Sequence, residues 1–208
     1  MKKGQQELPL PFWGGARKGA GRKRKGSRPR VAHEPRVKFR KGALHITLRM
    51  RAEVWNLRSR RCFQALRRAF EHGCERFGVR VIHFSVQRNH IHMIVEAADA
   101  GSLARAMKGL EVRMARALNR TMKRRGPLFA DRYHAHLPRS PREAAQAVRY
   151  VLENQVVHAR REGLPIPRGI DPCGSAALQD GGRPAVVEPV WWMLRVGVER
   201  VATLKRAA

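Results

Sequence analysis

The chain predicts an α+β fold: a ferredoxin-like split βαβ arrangement, with an antiparallel sheet, helices on one face, and one further helix after it. Three observations carry this prediction. Four short runs show period-two or β-rich apolar patterning, the longer stretches between them show 3.6-residue apolar stripes, and the order along residues 43–161 reads β-α-β-β-α-β-α.

The first strand is ALHITLRM, residues 43–50, where Leu44, Ile46 and Leu48 alternate with His45, Thr47 and Arg49. Residues 58–77 place Cys62, Leu66, Ala69, Phe70 and Phe77 at helical spacing, with Gly78 as the stop. Residues 79–87 and 90–97 are rich in strand formers and flank Arg88-Asn89, a hairpin signature. Residues 102–124 form the second helix through the stripe Leu103, Met107, Leu110, Met114, Ala117 and Leu118, broken by Gly126-Pro127. LFADRYHAHL, residues 128–137, is the fourth strand, at the sheet edge in this topology. A third helix runs from Pro141 to about Arg161, with Ser140 as N-cap and Pro141 at the first helical position. Residues 162–186 are rich in Pro and Gly and read as a linker. A short helix follows Pro189, where Trp191 and Trp192 either pack or offer stacking faces to nucleotides.

Composition narrows the function. The 208 residues include 44 Lys+Arg against 16 Asp+Glu, a net charge of +28, while 43% hydrophobic residues suffice for a packed core. No apolar run approaches the roughly 18 residues of a membrane span. The first fifteen residues lack the apolar stretch of a secretory signal. Cys62, Cys74 and Cys173 are widely spaced and contain no CxxC pair, which argues against a disulfide framework or zinc knuckle and suits a reducing cytoplasm. A polyanion, nucleic acid above all, is the natural counter-charge, with a ribosomal or generally adhesive RNA-associated protein as the blander reading.

The charge is uneven. Residues 1–41 carry a net +12, residues 42–137 another +12, and residues 138–208 only +4. Residues 1–35 therefore read as a basic, flexible DNA-binding tail, with Arg17, Lys18, Arg22, Lys23, Arg24, Lys25, Arg28 and Arg30 as its candidate contacts. GRKRKGSRPR within it approaches a minor-groove arm, but Ser27-Arg28-Pro29-Arg30 replaces the usual Arg-Gly-Arg-Pro core, which leaves non-specific phosphate binding as the larger expectation. Residues 36–162 form the candidate catalytic domain, and residues 163–208 the linker and C-terminal helix.

Candidate chemistry starts at His90-Ile91-His92. On a strand, residues i and i+2 share a face, so the two imidazoles stand side by side and suit a divalent metal once a further ligand arrives. His134-Ala135-His136 has identical spacing, and spacing alone does not separate the two pairs. Tyr150 lies in AVRYVLENQVVHA with Asn154 four residues on, hence on the same helical face. A free phenol has a pKa of about 10 and is a poor nucleophile, but it can attack a phosphodiester polarised by a metal. Tyr150 reads equally as that nucleophile or as an amphipathic residue at the core's edge. Tyr133 is its rival but has no amide partner at i+4.

The run LHITLR, the strand NHIHMIVE, the segment GPLFADRYHAHL and the helix RYVLENQV together resemble the single-tyrosine HUH transposases, nearest the REP-associated tyrosine transposases. The resemblance spans roughly residues 36–162. It implies that His90 and His92 are metal ligands on a central strand and that Tyr150 is the nucleophile. Asn154 then falls where relatives carry a polar third ligand, with Gln155 next door as a rival in register. It further implies Mg²⁺ or Mn²⁺ as cofactor, single-stranded hairpin or palindromic DNA as partner, and cleavage and rejoining through a 5′-phosphotyrosine link. A monomer or homodimer in the bacterial cytoplasm, associated with the nucleoid, is expected. The alternative is a domesticated relative that binds hairpins without cutting. Asn154-Gln155-Val156 departs from the usual Asn-Pro-Val, a change expected to alter where the tyrosine helix ends rather than its chemistry.

Overall fold

The structure, a computed structural model, describes residues 38–177 and 184–199. The tail and its candidate contacts from Arg17 to Arg30 lie outside the described residues.

The elements run β1 (Gly42–Arg49), α1 (Arg60–Glu71), β2 (Glu75–Arg76), β3 (Val79–Val86), β4 (His90–Ala97), α2 (Ala100–Thr121), β5 (His134–His136), α3 (Pro141–Leu152) and α4 (Asn154–Arg161). The five strands pair antiparallel in the order β2-β3-β4-β1-β5. With the two-residue β2 set aside, this is the expected ferredoxin-like arrangement, and β4 is its central strand. Among the described residues no helix is long and apolar enough to cross a membrane.

Strand alternation divides the molecule into two layers. Leu44, Ile46 and Leu48 of β1, Phe84 and Val86 of β3, and Ile91, Met93 and Val95 of β4 face α1 and α2 in the main core. Phe70 of α1 stacks on Phe84 with ring centroids 4.1 Å apart. Burying each such side chain contributes roughly 1.5–3 kcal/mol before ordering costs. On the opposite face Ala43, Ile82 and Ile94 meet Ala144 and Val151 of α3 and Leu194 near the C-terminus. That second face also carries His90, His92 and Glu96, the alternate residues of β4.

Several boundaries differ from expectation. α1 ends at Glu71, not beyond Phe77, because Gly73 donates to the Phe70 carbonyl and turns the chain. Phe77 and Gly78 instead form a two-residue hairpin between β2 and β3, both at positive φ, and Phe77 is exposed. The fourth strand is broken. Residues 128–130 bond to Arg49 and Arg51, and pairing resumes only at His134. In the gap the Arg132 N–H donates to the Asp131 side chain, a local bond that competes with the ladder. The third helix is interrupted at Glu153, whose backbone leaves helical geometry, so Tyr150 and Asn154 belong to successive helices, α3 and α4. Ser140 caps α3 as the sequence indicates, accepting from the Glu143 N–H at 3.2 Å, and Asp99 caps α2, accepting from the Ser102 N–H at 2.7 Å.

Within the Pro- and Gly-rich stretch, residues 171–177 lie along the part of β3 that β2 leaves uncovered. Val86 donates to the Cys173 carbonyl and Phe84 to the Ser175 hydroxyl. Arg58 clamps this segment by a bidentate bond to Asp171 at 2.8 and 3.0 Å. After Pro189, a π-helical turn (Met193–Gly197) packs against α3. Trp192 stays exposed there, whereas Trp191 lies beneath Lys41 Nζ at 4.9 Å. Cys62, Cys74 and Cys173 are buried, and none is joined in a disulfide among the described residues.

Candidate metal and nucleophile site

The second face of the sheet gathers histidines. His90 and His92 come from β4, His45 from β1 opposite Ile94, and His136 from β5 opposite His45. α3 covers this face because its buried residues, Ala144 and Val151, lie on the Ile82–Ile94 cluster. The same packing holds Tyr150, one residue before Val151, edge-on to His92 and His45, with ring centroids 5.2 and 5.7 Å away.

His90, His92 and His158 form the one group of potential metal ligands among the described residues, with ligand atoms all within 4.8 Å of one another. His158 was not among the residues that the sequence reading marked. Its signal is nonetheless present: it stands four residues after Asn154, one turn along α4. The alternative pair, His134 and His136, is exposed, and His136 Nε2 lies 2.7 Å from Glu143 Oε1. Glu143 also accepts from the Arg139 N–H, so this histidine joins the end of β5 to the start of α3.

The hydrogen bonds orient the ligand nitrogens. His90 Nδ1 lies 2.8 Å from Asn89 Oδ1, an acceptor, so the proton sits on Nδ1 and Nε2 keeps its lone pair. His92 Nδ1 lies 3.1 Å from both Thr47 Oγ1 and His45 Nε2, which leaves Nε2 as the free nitrogen. His92 Nε2, His158 Nε2 and both side-chain amide atoms of Asn154 are buried without a hydrogen-bond partner among the described residues. An orphaned buried polar atom costs about 1–3 kcal/mol, so four in neighbouring elements call for something to satisfy them. A divalent cation fits three of the four, the two imidazole nitrogens and the amide oxygen, while the Asn154 amide nitrogen is a hydrogen-bond donor and takes no part in coordination.

The electrostatics agree. Burial, reinforced by repulsion from His90, His45 and His158, pushes the His92 imidazole down to about 3. Burial, with His158 and Arg49 nearby, pushes His90 down to about 4. His45 is also lowered to about 4, by burial and then by His136 and His134. These rings are therefore neutral well below pH 6, the state in which imidazole coordinates metal.

The two tyrosines separate cleanly. Tyr150 is half-buried at the histidine face, whereas Tyr133 is 6% exposed and packed in the main core beneath α1 and α2. Asn154 is wholly buried at the first residue of α4, while Gln155 sits at the surface, its side chain reaching the Gly169 carbonyl at 3.4 Å.

Comparison with known proteins bears on the same region. The sequence model of the family described as "Transposase IS200 like" matches residues 39–155, just over half of the chain. A solved REP-associated tyrosine transposase bound to a REP hairpin is similar in structure, with a TM-score of 0.53 and 16% identity, covering 77% of this chain and 100% of that one. A crystal structure of a transposase candidate from Deinococcus radiodurans R1 matches with a TM-score of 0.41 and 18% identity, over 60% of this chain and 98% of that one. No curated protein matches the chain.

Proposed function

The chain belongs to the IS200-like transposase family, and we propose that it cleaves and rejoins single-stranded hairpin DNA through a covalent bond to Tyr150. One observation carries this reading: the phenol of Tyr150 stands edge-on to a cluster of neutral, partly orphaned imidazoles in a strongly basic protein.

His90, His92 and Asn154, with His158 beside them, would hold a divalent ion, Mg²⁺ or Mn²⁺. Such an ion, when bound, draws electron density from the scissile phosphate. Asn89 fixes the His90 tautomer, and Thr47 and His45 fix the orientation of His92. Tyr150 Oη attacks phosphorus, the bond to the 3′ oxygen breaks, and a 5′-phosphotyrosine ester and a free 3′-hydroxyl result. The phenol loses one proton and the hydroxyl gains one, so the phosphodiester is exchanged rather than hydrolysed. Rejoining therefore requires no nucleotide cofactor. The partner is DNA with a hairpin, and the setting is the bacterial cytoplasm, which suits three cysteines not joined in disulfides.

The test is a gel assay with a labelled single-stranded hairpin and Mn²⁺. A covalent protein–DNA adduct is expected, absent in Tyr150→Phe and retained in Tyr133→Phe. Tight hairpin binding with no adduct from any flanking sequence would instead favour the non-cleaving relative.

A further inference from the structure

The family match ends at residue 155, and the resemblance assigns only His90, His92 and Asn154 to a metal. His158 lies beyond both, yet the fold brings it to the same place. The helical run breaks at Glu153, and α4 begins afresh at Asn154. Asn154 and His158 are the first and fifth residues of α4, one turn apart on one face. The His158 ring stands 5.0 Å from that of His90, centroid to centroid, and the His90 ring 4.8 Å from that of His92. Their three ligand atoms all lie within 4.8 Å of one another. Two nitrogens bound side by side to one ion at about 2.1 Å stand roughly 3 Å apart, so a closure of under about 2 Å brings all three onto it.

Three features make His158 a ligand rather than a bystander. First, its ring is only partly buried, but Nε2 is sealed from solvent and has no hydrogen-bond partner among the described residues. A lone pair shut away in this manner is costly unless something occupies it. Second, α4 offers Asn154 and His158 as a pair, both with orphaned buried polar atoms, at the i, i+4 spacing by which one helix gives two ligands to one ion. Third, the cluster contains no carboxylate. Glu96, the acidic residue on this face of β4, is committed to the Val190 and Trp191 N–H groups. Mg²⁺ is a hard ion, held through carboxylates, phosphates and its own waters, whereas imidazole suits the first-row transition ions.

We propose that His158 is a fourth protein ligand of the ion, beside His90, His92 and Asn154, and that this third imidazole makes the site select Mn²⁺ and the later first-row divalent ions over Mg²⁺. The proposal rests on the reading that the histidine face holds a divalent ion, but its measurement is independent of cleavage.

The experiment titrates Mg²⁺ and Mn²⁺ separately, by calorimetry, into the full chain and into His158→Phe, which keeps a ring and removes the nitrogen. The parent is expected to bind Mn²⁺ at least about tenfold more tightly than Mg²⁺. His158→Phe is expected to lose about 100-fold in Mn²⁺ affinity, because losing a ligand costs at least as much as losing a partner that orients one. Its Mg²⁺ affinity changes little. Unchanged Mn²⁺ affinity in His158→Phe overturns the proposal, as does an equal loss for both ions. A parent that binds Mg²⁺ as tightly as Mn²⁺ overturns it too. A second measurement requires no variant and covers the case in which His158→Phe fails to fold. In the parent with isotopically labelled histidine nitrogens, one equivalent of Zn²⁺ is expected to shift the resonances of His90, His92 and His158 together. Shifts at His90 and His92 alone exclude His158 and overturn the proposal. Three shifted imidazoles with no covalent adduct on any hairpin retain the ligand and reject the cleavage reading. An adduct in the parent, with His158→Phe binding Mn²⁺ as the parent does, rejects the ligand and leaves cleavage standing.

Discussion

His45 Nε2 lies 3.1 Å from His92 Nδ1, joining the first strand of the sheet to its central strand across the face that α3 covers. Thr47 Oγ1 reaches the same nitrogen at the same distance. His92 thus has its outer nitrogen occupied twice and its inner nitrogen left for a ligand. Partners of this kind typically set metal affinity within a factor of 10 to 100. The double variant His45→Phe/Thr47→Val is therefore expected to weaken Mn²⁺ binding by about 10- to 100-fold in a titration, while Tyr150→Phe leaves it unchanged. Equal affinity in the double variant would remove these two residues from the site.

Asn154 is buried with both amide atoms unpartnered among the described residues. Without metal, an apolar residue of similar size relieves a desolvation cost, so Asn154→Leu is expected to leave stability equal or raise it by about 1 kcal/mol. With metal at about a hundred times its Kd, the parent chain gains about 2.7 kcal/mol from binding, and the variant should lose most of that gain. Paired thermal melts with and without Mn²⁺ measure both. A variant that is destabilised without metal yet fully stabilised by it contradicts the assignment.

The lowered histidines make acid destabilising. Unfolded imidazoles take up protons near pH 6.5, whereas His45 and His90 resist to about 4 and His92 to about 3. Their contribution is full above about pH 6.5 and falls as pH drops through the folded values, because the unfolded chain then binds more protons. Asp99 and Glu143, held below the usual carboxylate range chiefly by backbone N–H bonds, act only at lower pH. Urea unfolding of metal-free protein should therefore show stability declining from pH 7 to 5. A flat profile over that window rejects neutral burial of these rings.

Glu96 is fully buried beside the histidine strand's end and accepts the Val190 and Trp191 N–H groups at 3.1 and 2.9 Å. It anchors the chain just before the turn that packs on α3. Glu96→Ala leaves two backbone donors unpaired and is expected to cost about 2–3 kcal/mol. Hydrogen exchange should show faster opening at residues 190–197 first. Protection unchanged there would mean that the packing of Leu194 alone secures the segment.

Arg58 and Asp171 offer a structural contrast. Asp171 is nearly inaccessible and its carboxylate bond raises the Arg58 guanidinium pKa. Arg58→Ala strands the carboxylate and is expected to cost about 3 kcal/mol in urea unfolding, with adduct formation retained by the folded fraction. A cost near zero would show that water reaches Asp171 once the arginine is gone.

Much of this was legible residue by residue. The alternation of Leu44, Ile46 and Leu48 against His45 and Thr47 defines a one-sided strand, and the Ser140-Pro141 pair marks the start of α3. His90-Ile91-His92 and Tyr150 are visible because strand and helix periods are local properties. The breaks were less legible. Glu153 interrupts a helix with no Gly or Pro to announce it, and the Asp131 side chain competes with a strand ladder through a bond that composition does not reveal. Residues 171–177 dock through Arg58, 113 residues before Asp171 in sequence, a pairing invisible to any local window.

The sequence by itself determined the element types, the charge, and which side chains have the chemistry to hold a metal or attack phosphorus. Only the tertiary structure distinguished the equivalents: it buries His92 beside His90 and Tyr150 and leaves His134 and His136 exposed, packs Tyr133 into the main core, and brings His158 to the His90-His92 pair. The physical reason is that the two histidine pairs have identical spacing and a tyrosine's type says nothing of its burial, whereas burial and the partner across the sheet differ. The central strand dries its imidazoles and leaves their nitrogens unmatched, and the edge strand leaves its own in water.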